Sequence, residues 1–279
     1  MRVALAQIAS TRDIEANLKT CRRLAEDAVE QGAGWVIFPE CAPFLGPDRD
    51  KLPVAETLQG SQIQTFQALA RELQAAITVG SFAERSPDPT RTFNTQVHIT
   101  PAGDIAAVYR KIHLFDARVD GDLTLTESAS VVGGQDAVLT AVQVQGEEAK
   151  VGLTICYDLR FPELYRELAF RGAEMLTVPS AFTRPTGQAH WHTLLRARAI
   201  ENQTFVLAPN QWGHHYGTRA SFGNSVIYDP WGECLGCLEE GDGVVVADLN
   251  LERQREVRQK MPVLTHQRRG LSAPGQHEV

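Results

Sequence analysis

The 279-residue chain is 43% hydrophobic and 22% charged, an ordinary composition for a globular protein long enough to bury its own core. A formal net charge of -7 excludes a basic nucleic-acid-binding face, and Arg268-Arg269 is too short a run to change that. No apolar run approaches the ~20 residues of a membrane span, and MRVALAQIAS lacks the apolar centre of a signal peptide. The five scattered cysteines, Cys21, Cys41, Cys156, Cys234 and Cys237, suit free thiols in a reducing compartment, so a cytoplasmic location is expected.

Arg2 to Ala9 alternates small apolar residues and predicts a strand. Ile14, Leu18, Cys21, Leu24 and Ala28 recur at helical spacing, opened by Asp13 and closed by Gly32 and Gly34. WVIFPE at 35–40 reads as a strand buried on both faces, stopped by Pro39 with Glu40 at its carboxyl end. A second helix follows through Ile63, Phe66, Leu69 and Leu73, then a strand over 76–82. ERSPDPTR predicts a turn, and 93–100 with 106–110 a hairpin around Pro101-Ala102-Gly103. Residues 116–136 read as an irregular polar loop. Lys150 to Ile155 predicts the strand that delivers Cys156, and Pro162 opens a helix through Phe170. Strands are expected over 174–179, 203–208, 225–228, 233–238 and 244–249, with helices over 188–202 and from 250 to Lys260. Helices alternating with buried strands predict an α/β fold of mixed sheets covered by helices. One domain over 1–270 with a short tail, 271–279, is the simplest division.

Three reactive residues stand at strand ends: Glu40 after WVIFP, Lys111 after AAVYR and Cys156 after KVGLTI. Active sites of sheet-based α/β proteins collect at carboxyl ends of strands. If these strands are parallel neighbours, a carboxylate, an ammonium and a thiol converge, which are the parts of an acyl-transfer site. The carboxylate takes the thiol proton, and the ammonium, with the backbone N–H of Tyr157, stabilises the tetrahedral oxyanion. Taken singly, each residue has a blander reading: an inert core cysteine and two solvated charges.

FPE (38–40), YRKIHLFD (109–116) and GLTICYDLRFPELYR (152–166) resemble, in order and spacing, the three signature blocks of the nitrilase, or carbon–nitrogen hydrolase, superfamily. The resemblance runs from about Val3 to Arg269. It implies a four-layer α-β-β-α sandwich that forms a homodimer or a higher homo-oligomer, and it needs no cofactor or metal. It also implies Glu40 as general base, Lys111 as oxyanion stabiliser and Cys156 as nucleophile. Glu127, in the loop segment TES, is the implied second glutamate, although DGDLTLTESASVVGG departs from the usual Pro-Gly-rich wording there. Asp158, Arg160 and Glu163 read as an ion-pair network fixing the turn after the cysteine.

Residues 179–203, 219–232 and 261–269 resemble the deaminated glutathione amidase branch of that superfamily. This implies hydrolysis of a small carboxylated amide through a thioester, releasing 2-oxoglutarate and cysteinylglycine. An ω-amidase acting on 2-oxoglutaramate and a nitrilase acting on a small nitrile use the same trio and stay open. A catalytically silent binding protein on this fold and a metal-dependent hydrolase are the rivals from other classes. A carboxylated substrate calls for a cation among Arg184, Arg196, Arg198 and Arg219. Arg184, read as part of a polar loop, is the first candidate, with Phe182 and Thr183 beside it as pocket residues. Cys234-Leu-Gly-Cys237 has redox-like spacing but falls in a strand and lacks partner ligands. His190 and His192, two apart on a helix, do not share a face, and His214-His215 alone is weak as a metal signal.

Overall fold

The computed structural model describes residues 1–120 and 123–266. The tail 271–279, and with it the tail boundary, lies outside the described residues, as does Arg268-Arg269. The strands in chain order are β1 (Arg2–Gln7), β2 (Trp35–Ile37), β3 (Ala76–Arg85), β4 (Thr92–Ile99), β5 (Ile105–Arg110), β6 (Asp116–Asp120), β7 (Leu123–Thr126), β8 (Val138–Val144), β9 (Glu147–Leu153), β10 (Met175–Thr177), β11 (Phe205–Ala208), β12 (Trp212–Tyr216), β13 (Arg219–Phe222), β14 (Ser225–Tyr228), β15 (Cys234–Leu238) and β16 (Gly243–Asp248). The helices are α1 (Ile14–Glu30), α2 (Lys51–Val54), α3 (Ser61–Leu73), α4 (Pro162–Phe170), α5 (Arg184–Asn202), α6 (Leu251–Lys260) and α7 (Val263–His266).

Two six-stranded sheets form the centre, ordered β16-β1-β2-β3-β4-β5 and β15-β14-β11-β10-β9-β8. The period-two pleat of each strand divides its side chains between two cores. Val3, Leu5, Trp35 and Ile37 point inward and pack with Val142, Val151, Leu153 and Met175 of the other sheet. Their neighbours Ala4, Ala6, Val36 and Phe38 point outward and pack under Cys21, Leu24 and Ala28 of α1 and Phe66 and Leu69 of α3. Leu164, Tyr165 and Leu168 of α4 and Trp191, Leu195 and Ala199 of α5 cover the second sheet. The result is the expected four-layer α-β-β-α sandwich. Asp13 caps α1 by accepting from the Ala16 N–H at 3.0 Å, as its place before the periodic run predicts.

Several expectations are corrected. The segment read as an irregular loop holds the β6–β7 hairpin and a 3-10 turn at Glu127–Ala129. Its pairing is local and its residues are largely polar, so it leaves little periodic apolar signal. Strand β8 and the β12–β13 hairpin were not anticipated either; β8 is an edge strand, with Ala141 and Gln143 of its outer row exposed. Helix α5 begins at Arg184, not Gln188, because Thr183 takes extended N-cap geometry and Pro185 suits the first turn. Arg184 is therefore a helical residue rather than a loop residue.

Candidate active site

The strands bearing the three candidate residues are not adjacent. Strands β2 and β5 belong to the first sheet with β3 and β4 between them, and β9 belongs to the second. The site is thus built across the sandwich, at one end of both sheets.

Glu40 follows β2 and is buried. Its main chain is clamped: the Gln211 side chain donates to its carbonyl oxygen at 3.0 Å, and the next N–H, of Cys41, donates to Ser81 Oγ at 2.8 Å. Gly80 of β3 lets the chain pass, since a Cβ there would overlap the carbonyl oxygens of Phe38 and Pro39. Lys111 follows β5 and is 2% exposed. Its Nζ donates to Glu40 Oε1 at 3.0 Å and to Glu127 Oε2 at 2.8 Å. Asn94, on β4, donates from Nδ2 to both carboxylates, at 2.8 Å to Glu40 and 3.1 Å to Glu127. The Phe115 N–H donates to Glu127 Oε2 at 2.7 Å. One cation and two carboxylates therefore share a single buried network. Burial opposes the charge on Lys111, yet Glu127 and Glu40 override it and hold its pKa well above the ordinary lysine value. Burial likewise opposes the charge on Glu127, but Lys111, Lys51 and hydrogen bonds from Lys111 and Phe115 hold its carboxyl at about 2.

Cys156 opens a 3-10 turn, Cys156–Arg160, directly after β9. Its φ of +48° lies in the left-handed region, where non-glycine residues are strained and are found at functional elbows. The turn is pinned by Asp158, fully buried, whose carboxylate accepts from Tyr109 Oη at 2.6 Å, the Ile155 N–H at 2.8 Å, the His113 N–H at 3.0 Å and His113 Nδ1 at 2.8 Å. The expected Asp158–Arg160–Glu163 network does not form among the described residues. Asp158 faces inward to Tyr109 and His113, while Arg160 lies over the rings of Tyr157 and Phe182, 5.9 and 5.6 Å from their centroids. The Cys156 thiol reaches the Glu40 carboxylate and the Ala181 N–H, and Ala181 also donates to Glu40 Oε2 at 2.8 Å. Burial first, and Glu40 second, push the thiol far above its ordinary pKa, so at rest it keeps its proton beside a carboxylate. Tyr157 places its backbone N–H in the first turn, where helical N–H groups have no intrahelical acceptor.

These groups open on a cavity of about 730 Å³, counting the solvent at its mouth. Phe182 and Thr183 line it, and Arg184 does not. Arg184 is 56% exposed and pairs with Glu240 on the surface. Arg198 is turned inward, donating to the Leu159 carbonyl oxygen and to Glu201. The arginines that do line the cavity are Arg160 and Arg219. Asn94 and the cationic role open to Arg160 escaped sequence reading. The only hint to Asn94 is a polar residue on a strand otherwise rich in β-formers.

A sequence profile described as carbon-nitrogen hydrolase matches residues 2–259. The deaminated glutathione amidase of Homo sapiens is 40% identical over 270 residues, covering 95% of this chain and 82% of the human protein. The crystal structure of the C. elegans NitFhit protein superposes with a TM-score of 0.88 at 36% identity, covering 96% of this chain; the chain spans 65% of that protein. A structure of a glutamate-to-glutamine mutant of the Nesterenkonia sp. AN1 amidase, with acrylamide added at its active-site cysteine, superposes with a TM-score of 0.76 at 27% identity, covering 94% of this chain and 98% of that one. The chain belongs to the carbon-nitrogen hydrolase family of the nitrilase superfamily.

Proposed function

We propose that the chain is a cysteine amidase that hydrolyses small carboxylated amides, with deaminated glutathione as its substrate. The observation that carries this reading is the meeting of Cys156, Glu40 and Lys111 in one buried network, with the thiol protonated beside a carboxylate. Cys156 Sγ attacks the amide carbonyl while its proton passes to Glu40. The developing oxyanion is held by Lys111 Nζ and the Tyr157 N–H. Glu40 then gives that proton to the departing nitrogen, the C–N bond breaks, and a thioester remains on Cys156. Water attacks the thioester with Glu40 as base, releasing the acid and returning the proton to sulfur. Glu127 and Asn94 hold Lys111 and Glu40 in register.

Arg160 supports a carboxylated substrate. Its guanidinium lines the cavity, stacks on two aromatic rings, touches His190 Nδ1 at 3.3 Å and pairs with no carboxylate among the described residues. It replaces Arg184 as the residue for the 2-oxo-acid carboxylate, with Phe182 and Thr183 shaping the same wall. The name of the human relative supports deaminated glutathione over other amides. A homodimer fits the exposed Ile200, Trp231 and Met261, and the five free thiols, two of them exposed, fit a reducing cytoplasm. The test is a comparison of kcat/KM on deaminated glutathione, 2-oxoglutaramate and a small nitrile. Preference for the first supports the reading, and preference for the nitrile overturns it.

A further inference from the structure

Two cations in the cavity, Arg160 and Arg219, have no carboxylate partner among the described residues, and they sit in different surroundings. Arg160 ends the turn that Cys156 opens, three residues on from Tyr157, and its neighbours are Tyr157, Phe182 and His190. Arg219 belongs to β13. Its Nη2 donates to the Ala181 carbonyl oxygen at 2.7 Å, and its Nη1 is buried with no acceptor among the described residues. The Ala181 N–H, on the same residue, donates to Glu40. Tyr216, paired with Arg219 across the β12–β13 hairpin, lines the same cavity wall region as Asp48, Lys51 and Cys41, the residue after Glu40. Lys51 is already neutralised by Asp48 at 2.7 Å, so Arg219 is the uncompensated charge of this group. The hairpin presents it rigidly. His215 donates from Nδ1 to the Ser10 carbonyl oxygen and accepts from Ser221 Oγ, both at 2.9 Å, and the Phe222 N–H donates to the Phe182 carbonyl oxygen.

The acid that protonates the departing nitrogen must lie on the leaving-group side, and that acid is Glu40. Arg219 is tied to Glu40 through Ala181, whereas Arg160 follows the oxyanion N–H. We propose that Arg219 is a specificity residue that binds a carboxylate on the leaving group, so the preferred substrates release an amine that is itself an acid, such as a dipeptide with a free C-terminus. This deepens the amidase reading and rests on it: two unpaired arginines match a substrate with a carboxylate at each end, while 2-oxoglutaramate offers only one.

The test compares kcat/KM for deaminated glutathione and for its C-terminal carboxamide. Wild type should favour the free acid about ten- to hundredfold, mainly through KM. Arg219→Met should bring that ratio near one, Arg219→Lys should restore part of it, and Arg160→Met should lower both substrates without changing it. A merely structural arginine would lower both substrates equally. A wild-type ratio near one, or an unchanged ratio in Arg219→Met, overturns the assignment. Inhibition of the wild-type enzyme by cysteinylglycine and by its C-terminal amide asks the same question without a variant, and equal inhibition also overturns it. If wild type turns over 2-oxoglutaramate but not deaminated glutathione, the Arg219 assignment and the choice of deaminated glutathione fail while the cysteine amidase chemistry stands. If it turns over no amide, both fail.

Discussion

Replacing Glu127 by Gln removes one charge from the buried Glu40–Lys111–Glu127 network while keeping its shape. Two routes give its worth. A carboxyl held at about 2 instead of an ordinary 4.5 carries about 3 kcal/mol of folding free energy at neutral pH. Removing one partner of a buried ion pair costs about 3–5 kcal/mol by general experience. Glu127 is 11% exposed at its side chain, so solvent screening reduces this little. The unfolded chain binds the proton more readily than the folded one, so the stabilisation is complete above about pH 4.5 and is lost as pH falls toward 2. Thermal unfolding followed from pH 7 to pH 2.5 should therefore show E127Q melting roughly 5–10 °C below wild type at neutral pH, with the gap closing in acid. Activity should fall as well. Lys111, left with Glu40 alone, moves off the oxyanion position and holds the base more tightly, a loss of roughly 10²- to 10³-fold in kcat. A variant that melts within about 1 °C of wild type at pH 7 and keeps its kcat would refute this account of the network.

The remaining predictions address the nucleophile, the acyl pocket and the strand end. Cys156→Ala should abolish turnover while its melting temperature stays within a few degrees of wild type; retained activity would remove the thioester route. Arg160→Met should lower kcat/KM on deaminated glutathione and 2-oxoglutaramate alike by about a hundredfold, since both carry the 2-oxo-acid carboxylate, and an unchanged KM would return that role to another residue. Gly80→Ala should cost about 1–3 kcal/mol in chemical denaturation and push back the Phe38–Pro39 main chain that carries Glu40. A displacement of that kind should lower kcat well over tenfold, and wild-type kinetics in this variant would show that Glu40 is not positioned by that close approach.

Much of this molecule was legible along the chain, because short-range physics wrote it there. The helix from Ile14 follows from apolar spacing and the Asp13 cap, β2 follows from a continuous apolar run ended by Pro39, and the strand before Cys156 follows from the β-forming residues of KVGLTI. Glu40, Lys111 and Cys156 were visible as strand-end residues for the same reason. The signature blocks supplied their partnership, which no local pattern states. What only the tertiary structure decided depends on groups far apart in sequence. Asn94 joins Glu40 to Glu127 because β4 passes between β3 and β5. Asp158 turns away from Arg160 because Tyr109 and His113 offer it buried donors. Arg184 is spent on the surface because α5 starts at Arg184, and Arg219 enters the cavity on a hairpin that left no periodic trace. Apolar periodicity records which face of an element is buried. It does not record which charges meet across two sheets, since that is set by register and packing angle, and those exist only once the layers are stacked.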